Sequence, residues 1–419
     1  MTKTPRHGFT GPSRPSGLTR RGFLARSGLI GCSLAASPLL TPVSFAAAPW
    51  NSRLVVIILR GGMDAIDVVQ PYGDPAYAGL RSSLRGGPQN GGLDLDGYFS
   101  LHPGLAPLMP LWRAEQLGFI HAVSTPYRDK RSHFDGQDLL EAGTPGLHQR
   151  RDGWLNRLLQ ITPGVEARTA FAIGQGEMKL LQGAAPVSDW SPDAEMALSP
   201  QAERLAGLMM EQDPLFHAAL AEALDLADSA PMDADGAGSA EATGSMGQAK
   251  ARSRPHQRIA SYAAQQLRGD SRIAAFSING WDTHNRQTGA LTRALGRLSD
   301  TILTLYRDLG PGIWDKTAVV AMTEFGRTVR ENGTSGTDHG TGGAMVLAGG
   351  AIRGGRVHGL WPGLEEAALF DRRDLMPTGD VRAHMGWIMR GMIGTDAQQI
   401  ADVVFPGVEL GAEPGVLRR

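Results

Sequence analysis

Five short stretches of this 419-residue sequence hold acids and histidines at spacings suited to chemistry. They are Arg60-Gly61-Gly62-Met63-Asp64, Arg131-Ser132-His133-Phe134-Asp135, Asp282-Thr283-His284, Thr323-Glu324-Phe325-Gly326-Arg327 and Asp338-His339-Gly340. Carboxylates together with neutral imidazoles are the ligand set of Zn²⁺, Mn²⁺ and similar divalent ions. Each stretch also has a plainer reading. Asp64 and Asp282 could cap the helices that follow them, and Ser132 could cap a helix opening at His133. His339 could be a hydrogen-bonded turn residue with Asp338 as its orienting partner. Glu324 is harder to dismiss, because a carboxylate after a buried strand needs a cation or hydrogen-bond donors, and Arg327 is the obvious partner.

Position is what joins them. Apolar runs at 54–59, 117–123, 273–278, 317–322 and 344–347 read as strands buried on both faces, and the acids and histidines fall at or just beyond their ends. Between the runs lie helical patterns. One has Leu105, Leu108, Met109 and Trp112 at helical spacing; another has Leu291, Leu295, Leu298, Ile302 and Leu305. Strands alternating with helices predict an α/β fold with a mostly parallel central sheet and helices on both faces. In such sheets ligands bind outside the carboxyl ends of the strands, so several strand ends of like chemistry favour one shared site. Residues 228–256 carry no apolar periodicity and are rich in Ala, Gly, Ser and Asp; they read as a disordered insertion within a single domain spanning 48–419.

Charge separates the N-terminus from the rest. Lys3, Arg6, Arg14, Arg20, Arg21 and Arg26 precede position 47 with no acid among them, whereas the remainder holds 35 basic and 42 acidic residues. A basic, acid-free start followed by a short apolar stretch is an export signal, read here as 1–47, and Arg20-Arg21-Gly22-Phe23-Leu24 resembles the twin-arginine type. Small residues at Ser44, Ala46 and Ala48 suit cleavage to a soluble periplasmic or extracellular protein. A lipid-anchored form through Leu29-Ile30-Gly31-Cys32 is the lesser alternative. Cys32 is the only cysteine, so a chain cleaved beyond it has no disulfide, cysteine zinc site or cysteine nucleophile. No later run is long enough for a stable membrane span, and a net acidic body without a basic run excludes a nucleic-acid binder.

Together with Thr378-Gly379-Asp380-Val381-Arg382 and Val404-Phe405-Pro406-Gly407, the five stretches resemble, in order and over about 52–407, an exported bacterial family. It is the domain-of-unknown-function family 1501, grouped with the alkaline phosphatase and sulfatase superfamily. The resemblance implies a hydrolase of phosphate or sulfate esters that uses a divalent ion (Zn, Mn, Mg or Ca) and passes through the twin-arginine translocon. On it Asp64, Asp282, His284, Glu324 and His339 become metal ligands, and Ser132, His133 and Arg327 become catalytic candidates. Ser132 would be the nucleophile, and Arg60, Arg131 or Arg327 would clamp the anionic oxygens of a small ester. Two departures stand out. Asp282 and His284 are closer than the superfamily spaces them, and Phe325 occupies a position where it commonly has His; His133 is the candidate to fill that gap. The competing expectation is a non-catalytic protein of the same fold that binds an anion or a polysaccharide.

Overall fold

The structure is a computed structural model, and it describes residues 43–47, 50–128, 131–162, 178–190 and 255–418. Among the described residues nine strands form the main sheet. The strands of that sheet are β1 (Val43–Ala47), β2 (Arg53–Arg60), β6 (Leu117–Ser124), β7 (Ser188–Trp190), β8 (Ser271–Asn279), β9 (Thr317–Thr323), β10 (Gly343–Ala348), β11 (Val357–His358) and β12 (Gly379–Asp380). A small separate sheet joins β3 (Val69–Gln70), β4 (Leu93–Asp94) and β5 (Ser100–Leu101). Across the main sheet the order is β11-β6-β10-β9-β2-β8-β1-β7, with β12 beside β6. Strands β9, β2 and β8 are parallel neighbours at the centre, in register over Leu54–Ile273 and Leu54–Ala318. The run at 344–347 departs from the parallel expectation: β10 is antiparallel to both β9 and β6. Residues 324–342 join β9 to β10 through turns and isolated bridges with no helix, so the chain returns antiparallel beside β9 instead of crossing over the sheet.

The alternation of β2 explains the layers. Val55, Ile57 and Leu59 pack into a core with α3 (Pro255–Arg268) and α4 (Gln287–Leu309). Leu54, Val56 and Ile58 pack into the opposite core with α1 (His133–Ala142), α2 (Trp154–Ile161) and α5 (Val381–Ile393). Burial on both faces is what the unbroken apolar run predicts. The stripe near 105–112 forms a 3-10 turn, Pro103–Leu108, before a short helix, Met109–Arg113. Pro107 and Pro110 remove two amide donors there and prevent one continuous α-helix. The N-terminal signal reading lies outside the described residues as far as 42, while Val43–Ala47 pair with β8 and β7. Residues 228–254 of the expected insertion also lie outside, and Pro255 and His256 open α3. No helix among the described residues is long and apolar enough to cross a membrane.

Candidate metal centre

Three parallel strands deliver their chemistry to one end of the sheet. Strand β9 ends at Thr323 with Glu324 directly after it, β8 leads into Asp282 and His284, and β2 leads into Gly61 and Gly62. Gly61 has φ +125, and a Cβ there would come within 2.5 Å of the Asp282 amide nitrogen. Only glycine lets the two turns approach this closely. From the side, α1 brings His133 in its first turn, and the loop before β10 brings His339.

The cluster is built on three imidazoles whose Nδ1 atoms are all occupied. Nδ1 of His133 lies 2.8 Å from Glu324 Oε1, that of His284 3.3 Å from Asp338 Oδ1, and that of His339 2.6 Å from the Arg131 carbonyl. Carbonyl oxygens and ionised carboxylates only accept, so each Nδ1 carries the hydrogen. In a neutral ring each Nε2 is then a bare lone pair. These lone pairs converge on Asp282. Its carboxylate is 3.1 Å from His284 Nε2 and 3.5 Å from both His133 Nε2 and His339 Nε2. The Nε2 atoms of His284 and His339 face each other at 2.9 Å, a contact that demands a proton or a cation between them. His133 Nε2 is buried and makes no hydrogen bond.

Ligand atoms of His133, Asp282 and His339 lie within 4.8 Å of one another, with His284 against the last two. Three imidazole nitrogens and one carboxylate oxygen form a donor set for Zn²⁺ or a similar ion. Each ring is oriented from behind by an oxygen acceptor, the arrangement seen around metal-bound histidines. Residues and ion therefore fit. Solvent reaches the cluster through Asp282, 47% exposed, and His284, 42% exposed, while Glu324 behind them is fully buried.

Electrostatics follow the same pattern. The Asp282 carboxylate 3.5 Å from Nε2, and then the hydrogen-bonded Glu324, outweigh burial and push the His133 pKa up to about 9. Burial raises Asp282, but His133, His339 and Arg327 overcome it and hold the carboxyl well below the usual range. Glu324 is also pulled down despite burial, by His133 first and by Gln137 and the Gly61 amide. For Asp338 the Asn332 amide is the largest cause of a lowered pKa, with His284 adding to it.

Several sequence-derived assignments change. Asp64 does not join the cluster. It is fully buried, caps Ala65–Val68, and meets Arg81 through two bonds of 2.7 and 3.1 Å. Arg81 outweighs the burial penalty and holds the Asp64 pKa down, so the arginine supplies the positive charge expected from a metal. Glu324 stands behind His133 instead of among the ligating atoms, and its partners are His133, Gln137, Gly61 and Thr323, not Arg327. Asp338 orients His284, not His339. Asp282 does not cap a helix, since α4 begins at Gln287 after an uncapped Arg286. Arg327 is buried and spends its donors on the carbonyls of Gly61, Gly62, Trp281 and Thr337, and on Asp282 at 2.5 Å. It braces the loops and has little left for an anionic substrate. Arg60 is likewise engaged, by Gln137 and Glu141. The Ser132 hydroxyl accepts from the Asp135 amide at 3.4 Å, which closes the first turn of α1. Among the described residues no imidazole or carboxylate hydrogen-bonds to that hydroxyl.

Reading the sequence missed Arg81, Gln137 and the carbonyl of Arg131. Gln137 was legible, because it lies four residues after His133 and so on the same helix face. Arg81 and a backbone carbonyl leave no such trace.

Two cavities adjoin the cluster. One of about 250 Å³ is lined by Tyr127, Arg128, Arg131, Gly340, Thr341, Phe370 and Asp371, beside His339. The other, about 520 Å³, includes Asp338 and Arg373 in its wall, with Leu80, Val329 and Leu364.

A model of the family described as "Protein of unknown function (DUF1501)" matches residues 107–386, well over half of the chain. His133, Asp282, His284, Glu324 and His339 all fall within that span. No curated protein and no solved structure matches.

Proposed function

Starting from a chain that belongs to the DUF1501 family, whose description names no activity, we propose an exported, metal-dependent hydrolase of phosphate or sulfate esters. The observation that carries this reading is the set of three imidazoles held from behind at Nδ1, with their Nε2 atoms turned onto one carboxylate. His133, Asp282, His284 and His339 would hold the ion. A bound divalent cation would polarise the ester and ease deprotonation of a water molecule.

The remaining steps belong to the protein. Glu324 fixes the His133 tautomer and adds negative charge behind it. Asp338 and the Arg131 carbonyl do the same for His284 and His339. Arg128 and Arg131 line the smaller cavity together with Asp371, so an anionic group there would meet two guanidinium groups and one carboxylate. Thr341 there is steadied by Asp374, the carboxylate that also holds Arg131. Ser132 serves as the cap that places His133, so water is the nucleophile in this reading. The twin arginines at Arg20 and Arg21 support folding before export. Membership of the alkaline phosphatase and sulfatase superfamily fits a site at the ends of parallel strands.

The test is hydrolysis of aryl phosphates and aryl sulfates by the Zn²⁺- or Mn²⁺-loaded full chain, beside Asp282→Ala. Metal-dependent turnover of either ester, lost in the variant, is the expected result. Metal binding without turnover would move the chain to the non-catalytic alternative. Equal turnover in both proteins would remove Asp282 from the mechanism.

A further inference from the structure

Beneath the cluster a second buried side chain, besides Arg327, joins the two loops that carry Asp282, His284 and His339. Gln287 is the first residue of α4 and is fully buried. Its Nε2 donates to Asp64 Oδ2 at 2.7 Å and to Asp67 Oδ2 at 2.8 Å. Its Oε1 accepts from Thr283 Oγ1 at 2.9 Å and from Thr337 Oγ1 at 2.7 Å. An amide has two N–H donors and two oxygen lone pairs, so its capacity is used in full. The orientation is dictated as well, because a flipped amide would set its oxygen against two carboxylates.

The partners matter more than the count. Thr283 stands between Asp282 and His284, and Thr337 stands two residues before His339. Asp64, at the end of β2, is locked by Arg81. Backbone bonds reinforce the junction, from Thr337 N to Thr283 O at 3.2 Å and from Gln287 N to Ser335 O at 2.8 Å. We propose that Gln287 is a positioning residue for the centre: anchored on Asp64 and Asp67, it sets the separation of the Asp282–His284 loop from the His339 loop through Thr283 and Thr337. The proposal rests on the metal reading above and gives Asp64 a task as the anchor of a strut. A four-ligand site responds to shifts of a few tenths of an ångström between ligands, so loosening this strut weakens binding without removing any ligand.

The experiment uses the full chain with Thr283→Val and Thr337→Val, singly and together. These changes remove the hydroxyl links and leave shape and the buried charges intact. Thr292→Val, whose hydroxyl bonds to Thr288 O on the exposed side of α4, is the control. Zn²⁺ affinity is measured by chelator competition, and the ring ¹⁵N resonances of His284 and His339 are recorded on metal-free protein. The double variant is expected to bind Zn²⁺ roughly 10-fold or more weakly, with both ring signals moved and the control unchanged. Unchanged affinity together with unmoved rings would overturn the proposal. Should the wild type bind no Zn²⁺ while the rings still move in the double variant, the metal reading fails and the positioning role stands. No Zn²⁺ binding with unmoved rings removes both.

Discussion

Replacing Glu324 by Gln separates charge from shape at the centre. The Oε1 atom of Glu324 accepts from His133 Nδ1, the Gly61 amide and Gln137, and a glutamine oxygen can keep all three contacts. The new amide nitrogen would face Thr323 Oγ1, whose hydrogen can turn fully onto the Leu59 carbonyl, 2.9 Å away. The variant should therefore fold, and only the charge is lost. Two opposed effects follow. In the metal-free protein His133 is pushed up to about 9, so at pH 7 its proton competes with the metal by a factor of about 100. Losing Glu324 lowers the His133 pKa but not to its ordinary value, because Asp282, the larger cause, remains. That relieves part of the competition at pH 7. Against it, removal of a carboxylate behind a ligand histidine costs roughly 10–100-fold in metal affinity. Glu324→Gln is thus expected to show a smaller deficit in Zn²⁺ affinity at pH 7 than near pH 9.5, where it reaches the full roughly 10–100-fold. Chelator competition at the two pH values, with an NMR titration of His133, measures both effects. Equal affinities near pH 9.5, or a wild-type His133 titrating near 6.5, would refute the reasoning.

Other expectations follow from the same contacts. Ser132→Ala should cost about 1 kcal/mol of stability through the lost cap and leave ester turnover within a few-fold; a fall of about 1,000-fold would mark Ser132 as the nucleophile instead. Arg81→Met strands the Asp64 carboxylate in the core and should destabilise the fold by about 3–5 kcal/mol in urea unfolding, and a loss below about 1 kcal/mol would contradict the buried pair. In metal-free protein the folded pKa of His133 lies above its unfolded value. Its contribution is therefore complete below about pH 6.5 and disappears as the pH rises through about 9, roughly 1–2 kcal/mol after discounting the exposed Asp282 partner. Urea midpoints at pH 6 and pH 9 should differ without metal and approach each other with Zn²⁺, which holds His133 in its neutral form; identical metal-free midpoints would contradict this.

The central strands were legible because Leu54–Leu59 and its counterparts are apolar on both faces, a pattern that excludes an exposed sheet. The cluster was legible for a related reason: Asp282, His284, Glu324 and His339 directly follow such runs or precede β10. Sequence could not separate residues that contact a metal from those that stand behind them. Asp64 and Glu324 look alike in the chain, yet one is matched by Arg81, 17 residues on, and the other by His133, 191 residues back, and neither spacing marks a pair. Ser132 and His133 show the opposite case. As neighbours at a helix start, they had to divide capping and site chemistry between them, and the turn geometry gives the cap to Ser132. The antiparallel course of β10 was hidden because its apolar run carries no mark of direction.

The proposed function rests on three imidazoles and Asp282 holding a metal ion. Elemental analysis of the purified full chain after Zn²⁺ loading and gel filtration, beside His339→Ala, tests this directly. Close to one ion per chain in the wild type, and essentially none in the variant, is the expected result. A wild type that leaves the column without metal, or a variant that keeps its ion, would contradict the account.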